Sequence, residues 1–395
     1  MGIRELFPVF SRLRYLDWAS IGPIPTSAAE SASEFLRLAT EMRFDQSFPS
    51  YVNDKEQETR GRLSKLINAK PEEISFTGTS TTEGVQIFFR SLNPAKGSNI
   101  VTTDLEFPLM ATELSGWNQN GVQTRIWKNR MGTYHLEDLE KIVDRNTACV
   151  AISSVNWVNG FRLDLKGIAD IAHERGALVL VDSIQHAGNV SLDVTESGVD
   201  AVSGGAHKWL LSPMGTGFLF VSRNVSSDLR RVNFGYGNVE EPSGGWDLFY
   251  EDREKQIFRD YSFANDHRRF QYGAMKNHIG ITTLNESLKI ILGIEERERD
   301  AIAFRLRKQL LEWLTELNLR ILSPVRESDS SGIVTFTTGS IGKDRSIHRK
   351  LLEENFRLSL RGAAGIGGMR VSVNFLNDAS DIDHLVQRLA FWTRK

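Results

Sequence analysis

Cysteine is nearly absent: Cys149 stands alone among 395 residues. That excludes an intramolecular disulfide framework and any metal cluster built on several thiolates. Cys149 lies in "TACVAISSV", an apolar β-branched run, which reads as a buried strand thiol and not as a nucleophile. Charge of one sign is also missing. The 48 Lys and Arg against 50 Asp and Glu leave a formal net charge of −2, so no global field favours nucleic acid or an anionic membrane as partner. No apolar run reaches the 18 residues of a membrane span, and the N-terminus lacks a signal-peptide layout. A cytoplasmic protein is therefore expected. There is no internal repeat, no G-x-x-x-x-G-K-[ST] phosphate loop, and no G-x-G-x-x-G after a first strand.

What is present is an alternating pattern. From about residue 70 to 225 short apolar runs alternate with helical periodicity, as in "EEISFTG" before "TTEGVQIFFRSL". In "DLKGIADIAHERG", Leu165, Ile168, Ala169, Ile171 and Ala172 share a helix face, and Gly176 can end the helix. "ALVLVDSI" is apolar almost throughout, as a central parallel strand covered on both faces requires. These features predict an α/β fold: a large domain with a mostly parallel central sheet. Residues 223–270 break the rhythm and read as a long functional loop region. One long helix is predicted from about Ile281 through "LLEWLTEL", followed by a β-α-β-α tail that makes a small C-terminal α+β domain. The expected division is an N-terminal segment over 1–30 serving the small domain and active site, a large domain over 31–280, and a linking helix with small domain over 281–395.

In such sheets ligands collect at the carboxyl ends of strands. "FTGTSTTEG" leaves a strand and enters a helix with three hydroxyls, Ser80, Thr81 and Thr82, a chemistry suited to phosphate as well as to simple capping. Asp182 ends "ALVLVD", where a buried carboxylate needs a cationic partner. Gln185 follows in the loop. "SGGAHK" ends a further strand with Ser203, His207 and Lys208. The 26 positions between Asp182 and Lys208 fit a short helix and a strand between neighbouring strand ends, so carboxylate, hydroxyl and lysine can share one crevice. Pyridoxal 5'-phosphate needs that set: a lysine for its aldehyde, a carboxylate for its pyridine nitrogen, and hydroxyls at a helix N-terminus for its phosphate.

The ordered segments "FTGTSTTEG", "DLEFP", "VDSIQHAG", "SGGAHKWLLSPMGTGFLFV" and "MRVSVNFLNDASDID" resemble the class V aminotransferase and cysteine desulfurase superfamily of fold-type I pyridoxal phosphate enzymes. The resemblance spans nearly the whole chain. "HKWLLSPMGTGFLFV" most resembles the isopenicillin N epimerase-like branch. The resemblance implies that Lys208 is the covalent anchor of the cofactor and Asp182 the partner of its ring nitrogen. It sets Gln185 near the ring hydroxyl, and Thr81, Thr82, Ser203 and His207 around the phosphate. It implies Phe107 as the stacking aromatic and Arg370 as the grip on the substrate α-carboxylate. A homodimer is implied as well, with the Ala274 segment of "RFQYGAMKN" reaching the neighbouring subunit's phosphate through its backbone. Trp157, in "SVNWVNG", stands where many relatives carry Asn.

One departure is chemical. Desulfurases carry a catalytic cysteine on the loop before the carboxylate-binding arginine, and here that loop is the glycine-rich "LRGAAGIGGMR". Sulfur transfer through an enzyme persulfide is therefore not expected. The first expectation is a class V aminotransferase acting on an α-amino acid with Lys208 as base. Epimerisation and β-elimination remain open alternatives, and a cofactor-binding regulator is a remote one.

Overall fold

The computed structural model describes residues 2–41, 47–273 and 275–394. Its strands, in chain order, are β1 (Arg14–Tyr15), β2 (Ile74–Thr77), β3 (Asn99–Thr103), β4 (Gln123–Trp127), β5 (Thr147–Ser153), β6 (Leu178–Asp182), β7 (Ala201–Gly205), β8 (Gly217–Val221), β9 (Arg320–Ile321), β10 (Ile333–Thr337), β11 (Phe356–Arg357), β12 (Ser359–Ala363) and β13 (Ile366–Ser372). Strands β2 to β8 form one sheet in the order β2-β8-β7-β6-β5-β3-β4. Only β8 runs antiparallel to its neighbours, and the rest of the sheet is parallel. The apolar run over β6 is buried in the middle of this sheet, in keeping with helices on both faces.

The helix Leu165–Glu174 shows how local sequence is converted to packing. Asp164 caps it by accepting from the Gly167 N–H, an interaction that contributes about 1 kcal/mol. Leu165, Ile168, Ala169 and Ala172 are buried, and Ile171 packs partly against the same core. Gly176, at φ +80°, ends the helix as the C-terminal glycine anticipated for it.

The small sheet has the order β12-β13-β10-β9 and is antiparallel throughout. Two expectations need correction here. The single helix foreseen from Ile281 onward is two helices, His278–Leu292 and Glu296–Glu316, separated at Gly293 to Glu295. The run "HRKLLEENFRLSL" is only partly helical: the helix Ile341–Glu353 ends, and Phe356 onward forms β11 and β12. The tail therefore carries an additional hairpin.

The N-terminal segment is stitched to this small sheet. β1 pairs in parallel with β11, Asp17 bridges to Ser372, and the Trp18 indole N–H donates to Asn377 at 2.8 Å. The next residues, Ala19 and Ser20, reach the carboxyl end of the large sheet. Among the described residues no helix is long and apolar enough to cross a membrane.

Candidate active site

At the carboxyl ends of β6 and β7 lies a cavity of about 350 Å³. Thr81, Thr82, Phe107, Asp182, Gln185, His207, Lys208 and Arg370 all line it, as do Ser20, Thr79, Ser80, Trp157 and Arg361. Register explains the meeting. Asp182, the last residue of β6, is paired with Ser153 on one side and Ser203 on the other. Lys208 follows three residues after the end of β7, in the turn that leads back to β8.

That turn depends on glycine. A Cβ at Gly217 would sit 2.6 Å from the Gly204 carbonyl oxygen, and one at Gly22 would collide with the carbonyl of Lys208. The Gly22 N–H donates to the His207 carbonyl at 2.8 Å, so the N-terminal segment buttresses the lysine turn from outside.

Asp182 is buried, and its Oδ1 accepts from the Ile184 N–H at 2.9 Å. Among the described residues nothing donates to its Oδ2, leaving a carboxylate oxygen for a ligand. Burial raises its pKa to about 6, against the lowering pull of the Ile184 N–H and of Lys208. Burial lowers Lys208 to about 8, opposed by Asp182 and reinforced by Arg370 and Arg361. Its Nζ stands 5.7 Å from the centre of the Phe107 ring. Phe107, 45% exposed, meets Trp157 edge-on at 5.5 Å, so the two rings form one aromatic wall.

Arg370 is almost wholly buried, and burial lowers its pKa to about 10. Its guanidinium donates to the Trp157 carbonyl at 2.6 Å and to Ser20 Oγ at 2.7 Å, and it lies 3.5 Å from Asp17. Its Nε has no partner among the described residues. Arg361 donates to the same Ser20 hydroxyl at 3.2 Å, so two cations converge on one serine.

Burial holds His207 near pKa 4, so its imidazole is neutral, with Nδ1 3.4 Å from Ser80 Oγ. At the N-terminus of the helix Thr81–Leu92, Thr81 Oγ1 is buried without a partner among the described residues. A phosphate accepting from an orphaned hydroxyl and helix N–H groups fits this corner, and the free Asp182 oxygen fits a protonated ring nitrogen. The residues present therefore suit pyridoxal phosphate.

Two candidates take different places from those expected. Ser203 does not line the cavity: it is fully buried behind it, and its hydroxyl donates to the Thr81 carbonyl at 2.8 Å, tying β7 to the helix start. Gln185 lines the cavity, but its amide nitrogen donates to the Ala19 carbonyl and its oxygen accepts from the Trp209 indole. Ala274 lies outside the described residues.

Trp18 and Phe161 are core residues, while Arg268 is paired with Asp266 and Glu240. Ser20, Thr79 and Arg361 line the cavity without having been assigned from the sequence, and Asp17 stands beside it against Arg370. The clue was "YLDWAS", a carboxylate and a hydroxyl in an otherwise apolar stretch. Glu106 also went unassigned. It accepts from Thr103 Oγ1, Ser153 N–H and Ser153 Oγ, beside Asp182, and burial raises it to about 7.

The glycine-rich segment before Arg370 is a regular hairpin of β12 and β13, with Ala363 paired to Ile366 across a two-residue turn. Both turn residues, Ala364 and Gly365, have positive φ. No side chain on it can act as a sulfur nucleophile. Cys149, in β5, is buried, and burial pushes its thiol well above the usual range.

Comparison with known proteins places this cavity in context. A probable cysteine desulfurase of Methanothermobacter thermautotrophicus is 32% identical over 61% of each chain, so the chain matches about three fifths of that relative's length. A probable cysteine desulfurase of Borreliella burgdorferi is 27% identical over 99% of this chain and 91% of its own. A C-DES mutant with glycine covalently linked to its PLP cofactor superimposes with a TM-score of 0.87 at 22% identity, over 99% of both chains. The family model described as aminotransferase class-V matches residues 14–385. This chain belongs to the class V aminotransferase family, has the fold-type I architecture, and uses pyridoxal phosphate.

Proposed function

We propose that the protein is a pyridoxal phosphate-dependent lyase that breaks the bond between Cβ and a sulfur or similar leaving group of an α-amino acid. The observation carrying this reading is the lack of any available thiol: the sole cysteine is sealed in β5 and the hairpin before Arg370 has none. A persulfide on the protein then has nowhere to form, and the sulfur must leave with the product. C-DES, one of the structural neighbours, is described as a cystine C-S lyase bound to its product cysteine persulfide.

Pyridoxal phosphate, when bound, supplies the sink for the electron pair left at Cα when a bond there is broken. The chain's own groups do the rest. Arg370 holds the α-carboxylate through its fork, next to Ser20. Asp182 offers a carboxylate to the ring nitrogen. Lys208, with a pKa of about 8, is neutral enough near physiological pH to take the Cα proton. Phe107 and Trp157 wall the cavity without offering a proton. Lys208 is thus the one basic side chain lining it that exchanges a proton near neutral pH, which suits one-base elimination better than two-base epimerisation.

Transamination uses the same lysine and carboxylate, so the test separates the two. The holoenzyme is incubated with L-cystine and with L-alanine, each with and without a 2-oxo acid. Elimination predicts pyruvate, ammonia and a persulfide from cystine without an oxo acid, and no sulfur adduct on the protein by mass. Conversion of the cofactor to its amine form by alanine, with a 2-oxo acid released, would instead establish an aminotransferase.

We also propose a homodimer. Phe234, Tyr236, Leu248, Tyr250 and Phe258 expose large apolar side chains in one stretch of chain, and Phe258 is fully exposed. Such a surface is costly in water and suits a second copy of the same chain.

A further inference from the structure

Ser80 has a backbone that its residue type rarely adopts. At φ +77° and ψ −152° it lies in a region open almost solely to glycine. It precedes the helix Thr81–Leu92 as its cap residue, yet its side chain caps nothing. The surroundings enforce the conformation. Thr77 Oγ1 donates to the Ser80 carbonyl at 3.0 Å. A Cβ at Gly205 would fall 1.9 Å from Ser80 Oγ, and one at Gly217 would lie 2.9 Å from Ser80 Cα. Both neighbouring strands therefore carry glycine where they face this serine, and its hydroxyl occupies the place that a side chain at 205 would fill.

Among the described residues no strong hydrogen bond to the side chain repays this strain. The nearest partner of Ser80 Oγ is the neutral ring of His207, at a long 3.4 Å. The hydroxyl lines the cavity beside Thr81, whose own Oγ1 is buried and unpartnered, and beside Thr82. Two underused hydroxyls, helix N–H groups and a neutral imidazole converge on one corner.

We infer that Ser80 is a phosphate-binding residue held in a strained conformation, with Gly205 and Gly217 making room for it, so that fold stability is given up for affinity toward the cofactor's phosphate. This rests on the pyridoxal phosphate reading. It goes beyond that reading in assigning Ser80 a contact and an energetic cost that oppose one another.

Two variants separate the contact from the cost. Ser80→Gly removes both the hydroxyl and the strain, whereas Ser80→Ala removes the hydroxyl and keeps the strain. Apoprotein melting is measured with and without inorganic phosphate. Binding of pyridoxal 5'-phosphate and of pyridoxal is followed by quenching of tryptophan fluorescence. Each variant is expected to bind pyridoxal 5'-phosphate about tenfold more weakly or worse, with pyridoxal binding unchanged, since one hydrogen bond to a charged group is lost. The melting gain from inorganic phosphate should shrink in both. Without ligand, Ser80→Gly should melt a few degrees above the wild type and Ser80→Ala should not.

Wild-type affinity for pyridoxal 5'-phosphate in both variants overturns the contact. An apo Ser80→Gly protein no more stable than the wild type overturns the cost. Equal loss for pyridoxal and its phosphate means general damage to the cavity and also overturns the assignment. Failure of the wild type to bind pyridoxal 5'-phosphate at all is a separate result, and it removes the cofactor reading itself.

Discussion

A lysine amine in water keeps its proton to about pH 10.4. Lys208 loses it near 8, first because burial penalises the ammonium and then because Arg370 and Arg361 repel it, with Asp182 only partly compensating. The sign matters for reactivity. Above pH 8 the amine is mostly neutral and nucleophilic, and below it the ammonium dominates. The rate at which the apoprotein takes up pyridoxal 5'-phosphate covalently, read from absorbance at constant ionic strength, should therefore rise with pH to a midpoint near 8. Arg361→Gln removes one repelling cation and should move that midpoint upward. A midpoint near 10 in the wild type would mean that the lysine is solvated. At this scale the site was partly legible. Lys208 and Asp182 announced themselves through strand-end position and spacing. The actual partners of Gln185 did not, because they come from Ala19 and Trp209, and the Ala19 contact spans 166 residues of sequence.

Strand β5 carries the only thiol, and the strand decides its chemistry. Cys149 is fully buried, with Ile100, Ala151 and Leu180 in the same apolar cluster. Its thiol reagent accessibility follows from the strand's position between β3 and β6, not from any feature of the cavity. In native protein Cys149 should resist a thiol reagent such as dithionitrobenzoate, reacting only in urea. Cys149→Ala should cost about 1–2 kcal/mol of stability through the void it leaves. Turnover per folded molecule should stay at the wild-type level, and a loss of turnover with the fold intact would return the thiol to the mechanism. Elements of this kind were readable because a parallel strand is apolar almost throughout. The break at Gly293 was not, since "IILGIEERERD" keeps its helical periodicity on both sides of a three-residue interruption. The β12–β13 hairpin was also hidden. Its glycines read as a flexible or a close-fitting segment, and the structure favours the second, with a Cβ at Gly368 falling 2.2 Å from the Phe336 carbonyl oxygen.

On the scale of the whole molecule, the cavity exists because the chain's beginning is folded onto its end. Asp17, 353 positions before Arg370, lies 3.5 Å from its guanidinium and accepts from Ser20 Oγ at 2.8 Å and Ser359 Oγ at 2.7 Å. Arg370 in turn donates to the Trp157 carbonyl, in the loop after β5. One buried pair thus ties the N-terminal segment, the small sheet and the large sheet together; "YLDWAS" shows an unusual carboxylate and hydroxyl but not these distant partners. Removing one partner of a buried ion pair leaves the other charge uncompensated, at a cost of about 3–5 kcal/mol. Asp17→Ala should therefore lower stability by roughly that amount, as measured by urea unfolding of the apoprotein. Binding should move the other way. With Asp17 gone, Arg370 has no competing carboxylate, so the KM for an amino-acid substrate should stay level or fall while the melting temperature drops. Added acetate, a probe for the freed guanidinium, should return part of the lost stability in Asp17→Ala and do little for the wild type. If Asp17→Ala unfolds like the wild type, the Ser20 and Trp157 contacts already compensate the Arg370 charge, and the joint between the two sheets must lie elsewhere.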